Sequence, residues 1–80
     1  MNMTLDAGLQ LITDIKEQVA KLSNPCKVIL APPYIHLGAM KGLLAGSNIE
    51  YAAQDCSAHD AGAYTGEVSA EMIRSCGCTY

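Results

Sequence analysis

The sequence has 80 residues, of which 50% are hydrophobic and 16% are charged, and its net charge is −3. This composition is typical of a globular chain that forms a core, and it excludes a disordered one. Acidic and basic residues are interspersed, so the chain offers no basic patch for nucleic acid or for an anionic membrane surface. We therefore predict that neither nucleic acid nor membrane is a partner.

The sequence shows no targeting or membrane signal. No apolar run approaches the ~18 residues of a membrane span, and the N-terminus lacks a basic region followed by an apolar stretch. These absences predict a cytoplasmic protein. The four cysteines, Cys26, Cys56, Cys76 and Cys78, are accordingly predicted to be reduced thiols.

A helix is the first predicted element, with Thr4 as its capping residue and its end at residues 23–25. Its apolar positions recur at spacings of three and four along one face: Leu5, Leu9, Ile12, Ile15, Val19 and Leu22. Residues 26–31 are then predicted to form a strand, which Pro32 and Pro33 end. The unbroken apolar run at residues 28–30 is typical of a parallel strand covered on both faces.

The second half of the chain repeats this alternation. We predict a second helix at residues 35–44, whose core side is formed by Leu37, Met40, Leu43 and Leu44. A second strand follows at residues 49–53. A third helix begins after the capping residue Ser69 and is predicted to point Met72 and Ile73 inward and to stop at a left-handed Gly77. Residues 78–80 resemble the start of another strand.

Helices and strands that alternate in this way are the signature of right-handed parallel βα units. The predicted fold class is therefore α/β. No internal repeat, low-complexity tract or linker interrupts the sequence, so residues 1–80 are predicted to form a single segment.

Few residues in the sequence suggest a metal-binding or catalytic site. Cys76-x-Cys78 and Cys56-x2-His59 could be half-sites for zinc, but structural zinc sites normally contain two such pairs, so packing roles are favoured. His36 and His59 have no nucleophile nearby in sequence, and we predict that each is a solvated or packing residue. Helix-dipole and turn roles explain the acidic pairs Asp6 with Asp14 and Asp55 with Asp60. The sequence predicts no cofactor and no metal.

The connection at residues 54–68 is the strongest functional candidate. It is about twice the usual length of a strand-to-helix connection, and loops of that length are commonly functional or disordered. Gly62 and Gly66 allow special backbone angles, and residues 63–65 between them provide packing groups, so we expect an ordered loop. We favour a functional loop over a plain surface excursion.

Three stretches carry a resemblance to a known family. Ala-Ala-Gln-Asp at residues 52–55, followed after a spacer by Gly-Ala-Tyr-Thr-Gly-Glu-Val-Ser-Ala-Glu-Met at residues 62–72, resembles the third strand and third loop of triosephosphate isomerases. Ala-Pro-Pro-Tyr at residues 31–34 resembles the end of the second strand. Met1-Asn2 followed by Thr4-Leu5 resembles the segment after the first strand. The resemblance covers the whole chain and implies a partial TIM (β/α)8 barrel, from the first helix to the start of the fourth strand.

The resemblance implies an enzyme that interconverts dihydroxyacetone phosphate and D-glyceraldehyde 3-phosphate through an enediol, in glycolysis and gluconeogenesis. The family's substrate-binding Asn-x-Lys would precede Met1, and its electrophilic histidine and glutamate base would follow Tyr80. We therefore expect that this chain alone has no isomerase activity. Its uncovered sheet face and edges also predict a marginally stable or aggregating chain.

The resemblance further implies that the long loop joins two subunits of a homodimer. Thr65 would touch the partner's substrate-binding region, Glu67 would pair with a partner arginine, and Tyr64 would anchor the interface. Asp55 stands where many relatives have Asn and adds a negative charge. The full predicted interface set is Gln54, Asp55, Tyr64, Thr65, Gly66 and Glu67. The alternative hypothesis is a free-standing βα interaction module without catalysis.

Overall fold

A computed structural model describes residues 1–23 and 26–80 of the chain. Its elements in chain order are α1 (Leu5–Ala20), β1 (Val28–Leu30), α2 (Tyr34–Leu43), β2 (Ile49–Tyr51) and α3 (Ala70–Ser75). The predicted alternation of helices and strands is confirmed. Part of the predicted end of the first helix falls on Asn24 and Pro25, which lie outside the described residues. Within the described ranges, no helix has the length and apolar character needed to cross a membrane.

The two strands form a parallel pair. Val28 lies opposite Ile49, and Leu30 lies opposite Tyr51. Both strands are shorter than the predicted residues 26–31 and 49–53, in part because prolines follow β1 at positions 32 and 33 and lack the N–H that a longer ladder would need. Parallel pairing with helices between the strands confirms the α/β class.

The core lies on one face of this sheet. It joins α1, α2 and β2 through six buried side chains: Ile12, Leu37, Met40, Leu44, Ile49 and Tyr51. The predicted core positions Met40 and Leu44 are thereby confirmed. The other face of the sheet is open, because Ile29 is 42% exposed. The prediction that the first strand is buried on both faces is therefore wrong for the described residues, which cover only one face.

The start of α1 differs from its prediction. Thr4 occupies the capping position, but its side chain makes no capping hydrogen bond. Its carbonyl oxygen is used instead, and it accepts the backbone N–H of Gly8 at 2.9 Å and lies 3.1 Å from Nε2 of His36. Thr4 therefore links α1 to α2 through its backbone.

A lysine on α1 satisfies the other end of α2. The Lys16 ammonium donates to the carbonyl oxygen of Leu43 at 2.9 Å, and it lies 3.4 Å from that of Ala45. A helix leaves its last carbonyl groups without partners inside the helix, and a cation is favourable at this negative end of the helix dipole. The α1–α2 contact is thus fixed by polar groups at both ends of α2.

Helix α3 begins and ends as predicted, but one of its two predicted core residues is exposed. The Ser69 hydroxyl accepts the backbone N–H of Met72 at 3.3 Å, and Gly77 has a φ of +93°. Ile73 is buried as predicted. The inward prediction for Met72 is wrong: it is 58% exposed, and it lines a groove between α3 and the long loop. A six-residue helix has room for only a narrow buried stripe.

Residues 78–80 lie beside β2 without extending the regular sheet. The backbone N–H of Thr79 donates to the carbonyl oxygen of Tyr51 at 3.1 Å, and the backbone N–H of Ala53 donates to the carbonyl oxygen of Tyr80 at 3.2 Å. The predicted strand start is thus joined to the end of β2 by two hydrogen bonds but does not form a regular strand. Burial raises the pKa of the Tyr51 hydroxyl, which donates to the carbonyl oxygen of Cys76 at 2.7 Å and so fixes the end of α3 to β2.

A polar cluster connects both strands with residue 80. The Tyr80 hydroxyl donates to the Glu50 carboxylate at 3.0 Å, and the Lys27 ammonium lies 2.9 Å from that hydroxyl and 3.2 Å from the same carboxylate. The hydrogen bonds from Tyr80 and Lys27 lower the pKa of Glu50, and the same cluster raises the pKa of Lys27. The charged forms of both residues are therefore favoured in the folded chain.

We expect Gly8→Ala to destabilise the chain by about 1–3 kcal/mol, because a Cβ at this position would lie 1.9 Å from Nε2 of His36 and would displace the ring. Gly38→Ala is the matched control, since a Cβ there meets nothing within 4 Å. The control should gain about 0.5–1 kcal/mol from helix propensity. Urea unfolding followed by far-UV circular dichroism measures both variants. Equal effects would contradict the close contact.

We expect Glu50 to make stability depend on acid pH. Because its folded-state pKa is lowered from 4.5, the cluster's contribution is present above that value and is lost as pH falls through the lowered pKa. Glu50→Gln should therefore flatten the decrease of the urea midpoint between pH 7 and acid pH, whereas the control Glu17→Gln on α1 should not. The effect will be small because the groups are exposed. An unchanged slope in Glu50→Gln would rule out this contribution.

Candidate functional site: the long loop after β2

The long loop, residues 54–68, is held by its own backbone. The N–H of Ser57 donates to the carbonyl oxygen of Val68 at 2.9 Å and brings the two ends of residues 57–68 together. A compact surface loop with neighbouring ends is an Ω-loop, a type that is frequently functional. The expectation of an ordered loop is therefore supported by a specific closing bond.

The tip of the loop is a tight turn over residues 64–67. The N–H of Glu67 donates to the carbonyl oxygen of Tyr64 at 3.0 Å, and Gly66 has a φ of +91° at the third position. A positive φ at that position is the mark of a type II turn, which favours glycine. Thr65 is then the exposed corner of the turn.

Two aromatic rings stack within the loop. The rings of His59 and Tyr64 lie 3.9 Å apart between centroids and are almost parallel, with 2° between their planes. Tyr64 is nevertheless 45% exposed. His59, predicted to be a solvated or packing residue, is exposed and packs on Tyr64. Tyr64 thus presents a supported aromatic ring to solvent, the kind of side chain that is enriched at protein interfaces.

The root of the loop is attached to the end of β1 and to α2. The Gln54 side-chain amide donates to the carbonyl oxygen of Ala31 at 2.7 Å, and the Tyr34 hydroxyl donates to the carbonyl oxygen of Asp55. Burial, and then the nearby Asp55, Cys56 and Glu67, raise the pKa of the Tyr34 hydroxyl, which at pH 7 is a neutral donor. These bonds orient the loop relative to the carboxyl ends of both strands.

The six predicted interface residues do not form one cluster. Gln54 and Asp55 line a groove of about 680 Å³ at the loop root, which extends to Arg74 on α3. Tyr64 and Glu67 line a separate groove of about 440 Å³ between the loop tip and α3. All six residues, Thr65 and Gly66 included, are exposed. The loop therefore borders two separate grooves, one at its root and one at its tip.

The cysteines and histidines of this region show no metal-site geometry. Burial, and then the neighbouring Cys76, raises the pKa of the Cys78 thiol, so the reactive thiolate is disfavoured. Within residues 1–23 and 26–80, no three His, Cys, Asp or Glu side chains come together in a way that could hold a metal ion.

Two residues that organise this region were missed from the sequence. In the sequence Tyr34 belongs only to the motif at residues 31–34 that resembles the end of the family's second strand, and no local pattern connects it with Asp55. His36 was predicted only to be solvated or to pack, and the structure places it fully buried. The position of His36 among the apolar residues of a helix is a signal in the sequence that the side chain is buried. The sequence does not reveal its hydrogen-bond partner, because Thr4 lies 32 positions away.

Comparison with known proteins identifies the family. The family model for triosephosphate isomerase matches residues 1–80, the whole chain. The chain belongs to the triosephosphate isomerase family. It is 40% identical to the triosephosphate isomerase of Bacteroides fragilis, 39% to that of Prosthecochloris aestuarii and 41% to that of Dechloromonas aromatica, each over 80 residues and 100% of this chain.

The match covers only part of each relative. It accounts for 32% of the B. fragilis and P. aestuarii triosephosphate isomerases and for 31% of the D. aromatica one. The chain therefore spans about a third of the length of the triosephosphate isomerases that it matches. The family resemblance stated from the residues is confirmed.

We expect Gly66→Ala to loosen the loop tip, because alanine at a φ of +91° is strained by about 1–2 kcal/mol, and an added Cβ would meet no other atom within 4 Å that could offset the strain. Gly66→Asn is the control, since asparagine tolerates positive φ better. Amide hydrogen exchange at Glu67, whose N–H closes the turn, should be faster in Gly66→Ala than in Gly66→Asn. Equal exchange in the two variants would show that the backbone angle does not set the turn.

Proposed function

We propose that this chain is a segment of a triosephosphate isomerase, which interconverts dihydroxyacetone phosphate and D-glyceraldehyde 3-phosphate by proton transfer through an enediol. The observation that carries the proposal is the family match along the entire chain. The parallel strands with intervening helices agree with it. In this proposal residues 1–80 run from the first helix of a (β/α)8 barrel to the start of its fourth strand.

The open face of the sheet has a natural place in such a barrel. Each strand of a closed barrel meets the helices on one side and fills the interior with the other. Val28, Leu30 and Ile49 contact the helix-covered core, whereas Ile29 belongs to the open side. Ile29 would then point into the barrel interior, and the remaining strands would cover it.

The proposed chemistry needs groups from outside residues 1–80. Proton transfer requires an acid and a base within hydrogen-bond reach of the moving proton. The resemblance places the family's lysine, histidine and glutamate before Met1 and after Tyr80. We therefore propose that the 80-residue chain alone does not catalyse the isomerisation.

The long loop contributes a subunit contact in this proposal. A stacked, half-exposed Tyr64 at the tip has the character of an interface anchor, because it is rigid, apolar and supported by His59. Thr65 at the corner and Glu67 beside it would contact the partner subunit, with Gly66 fixing the turn between them. Gln54 and Asp55 would border the same interface at the loop root.

A chimera tests the proposal. Residues 1–80 replace the matched third of the B. fragilis triosephosphate isomerase, and turnover of glyceraldehyde 3-phosphate is followed in a coupled assay. We expect a dimeric, active chimera and no turnover above background for the isolated chain. An inactive chimera beside a stable, folded isolated chain would favour the free-standing interaction module.

The same chimera tests the loop. Tyr64→Ala should raise the dimer dissociation constant about 1,000-fold, because each of the two subunits loses an anchor worth about 2 kcal/mol. Leu22→Ala is the control, because Leu22 is an exposed apolar residue just after α1 and far from the loop in sequence. Analytical ultracentrifugation measures both. A Tyr64→Ala chimera that dimerises as tightly as the control would remove the loop from the interface.

A further inference from the structure

A buried histidine ties the chain ahead of α1 to α2. The His36 side chain is fully buried, and its Nε2 lies 3.1 Å from the carbonyl oxygen of Thr4. A carbonyl oxygen can only accept, so Nε2 carries the proton and donates it. The bond joins residues 32 positions apart in sequence, and it fixes where the segment before α1 reaches the first helical turn.

The His36 ring is closely packed against Gly8 on α1. Gly8 lies against it so closely that any Cβ would come within 1.9 Å of Nε2. The other ring nitrogen, Nδ1, is buried and has no hydrogen-bond partner among the described residues. The bond to Thr4 is thus the ring's single polar contact there, and a plain packing role would be served equally well by an apolar side chain.

Residues 1–3, which precede the hydrogen bond between His36 and Thr4, form no helix or strand that would fix their path. Met3 has a φ of +73°, which is uncommon for a residue other than glycine. Such a conformation persists only where the surroundings impose it. The helical N–H of Gly8 and the ring of His36 are the two donors on the Thr4 carbonyl.

The fixed segment borders the carboxyl ends of the strands. A cavity of about 350 Å³ is lined by Met1, Asn2 and Met3 together with Ala31, which follows β1, and Gln54, which lies three residues after the end of β2. His36 forms part of its wall. Three consecutive connections of the chain therefore meet at one edge of the sheet. In (β/α)8 barrels this is the edge at which active sites are built.

We propose that His36 is a positioning residue that sets the path of residues 1–4 at the carboxyl edge of the sheet, and through it the geometry of the isomerase site. This inference rests on the proposed function. His36 does not touch substrate. Its hydrogen bond holds the strand-to-helix connection that enters α1 in register with the ends of β1 and β2.

The chimera with residues 1–80 in the B. fragilis enzyme tests this role through three variants. His36→Leu removes the donor and keeps an apolar side chain, His36→Gln keeps a side-chain N–H donor, and Leu44→Ala is a core control near the opposite end of α2. We expect His36→Leu to lower kcat about tenfold with less than about a twofold change in KM, because a misplacement of about 1 Å can cost about 100-fold and a smaller displacement costs less. His36→Gln should recover most of kcat.

Stability and exchange separate positioning from folding. Leu44→Ala should lower Tm at least as much as His36→Leu and leave kcat at 25 °C unchanged. Hydrogen exchange in a peptide covering residues 1–12 should be faster in His36→Leu than in either other variant. If the parent chimera is active and His36→Leu has the same kcat, the proposal is overturned. It is also overturned if kcat falls in every variant in proportion to the loss in Tm, whichever residue is changed.

An inactive parent chimera would count against the proposed isomerase function and not against the hydrogen bond itself. In that case the exchange comparison decides about the bond. Unchanged exchange of residues 1–12 in His36→Leu would show that His36 does not hold this segment, whatever the enzyme does.

Discussion

The packing of two helices on a single face of a two-stranded parallel sheet is the constraint on which the rest of this structure depends. Each strand has three residues, which is too few to bury much surface by itself. Met40 and Leu37 from α2 and Ile12 from α1 provide the apolar cover that the strands need on that face. Parallel strands require such a crossover helix, so the alternation of elements and the one-sided core are a single consequence of chain connectivity.

The long loop is ordered by a different set of forces. Its residues are mostly exposed, so apolar burial contributes little to its conformation. Backbone hydrogen bonds at Ser57 and Glu67, a positive φ at Gly66 and the stacked rings of His59 and Tyr64 define its path instead. A loop ordered in this way keeps its shape while leaving its side chains accessible, and this combination is what a contact surface needs.

Much of the fold could be predicted from the sequence, because its signals are local. The apolar repeat of α1, the serine before α3 and the left-handed Gly77 each act within a few residues of their own position. The serine cap and the glycine angle are present in the structure. The apolar repeat forms a helix that buries Ile12, but Leu5 and Leu22, at the two ends of the predicted face, are exposed.

The failures have equally physical causes. The Thr4 side chain was expected to cap α1, but its carbonyl oxygen makes the useful contacts through His36, a residue that local rules do not connect with it. Spacing predicts that Met72 points inward, but the six-residue helix α3 buries only Ile73. Of the candidate site, the loop and its tip residues could be identified, whereas the Tyr34 contact at its root depends on tertiary structure.

The first turn of α2 is where these separate features are brought together. Pro32 and Pro33 end β1 and deliver the chain to α2, and two side chains of that turn then reach in different directions. The Tyr34 hydroxyl holds the root of the long loop at Asp55, while the His36 ring holds the entry to α1 at Thr4. Both contacts go to backbone carbonyl oxygens, so they fix chain paths and not the identity of the residues they touch. The turn therefore sets the relative positions of the chain before α1 and the chain after β2, two connections that lie far apart in sequence and meet at the carboxyl edge of the sheet.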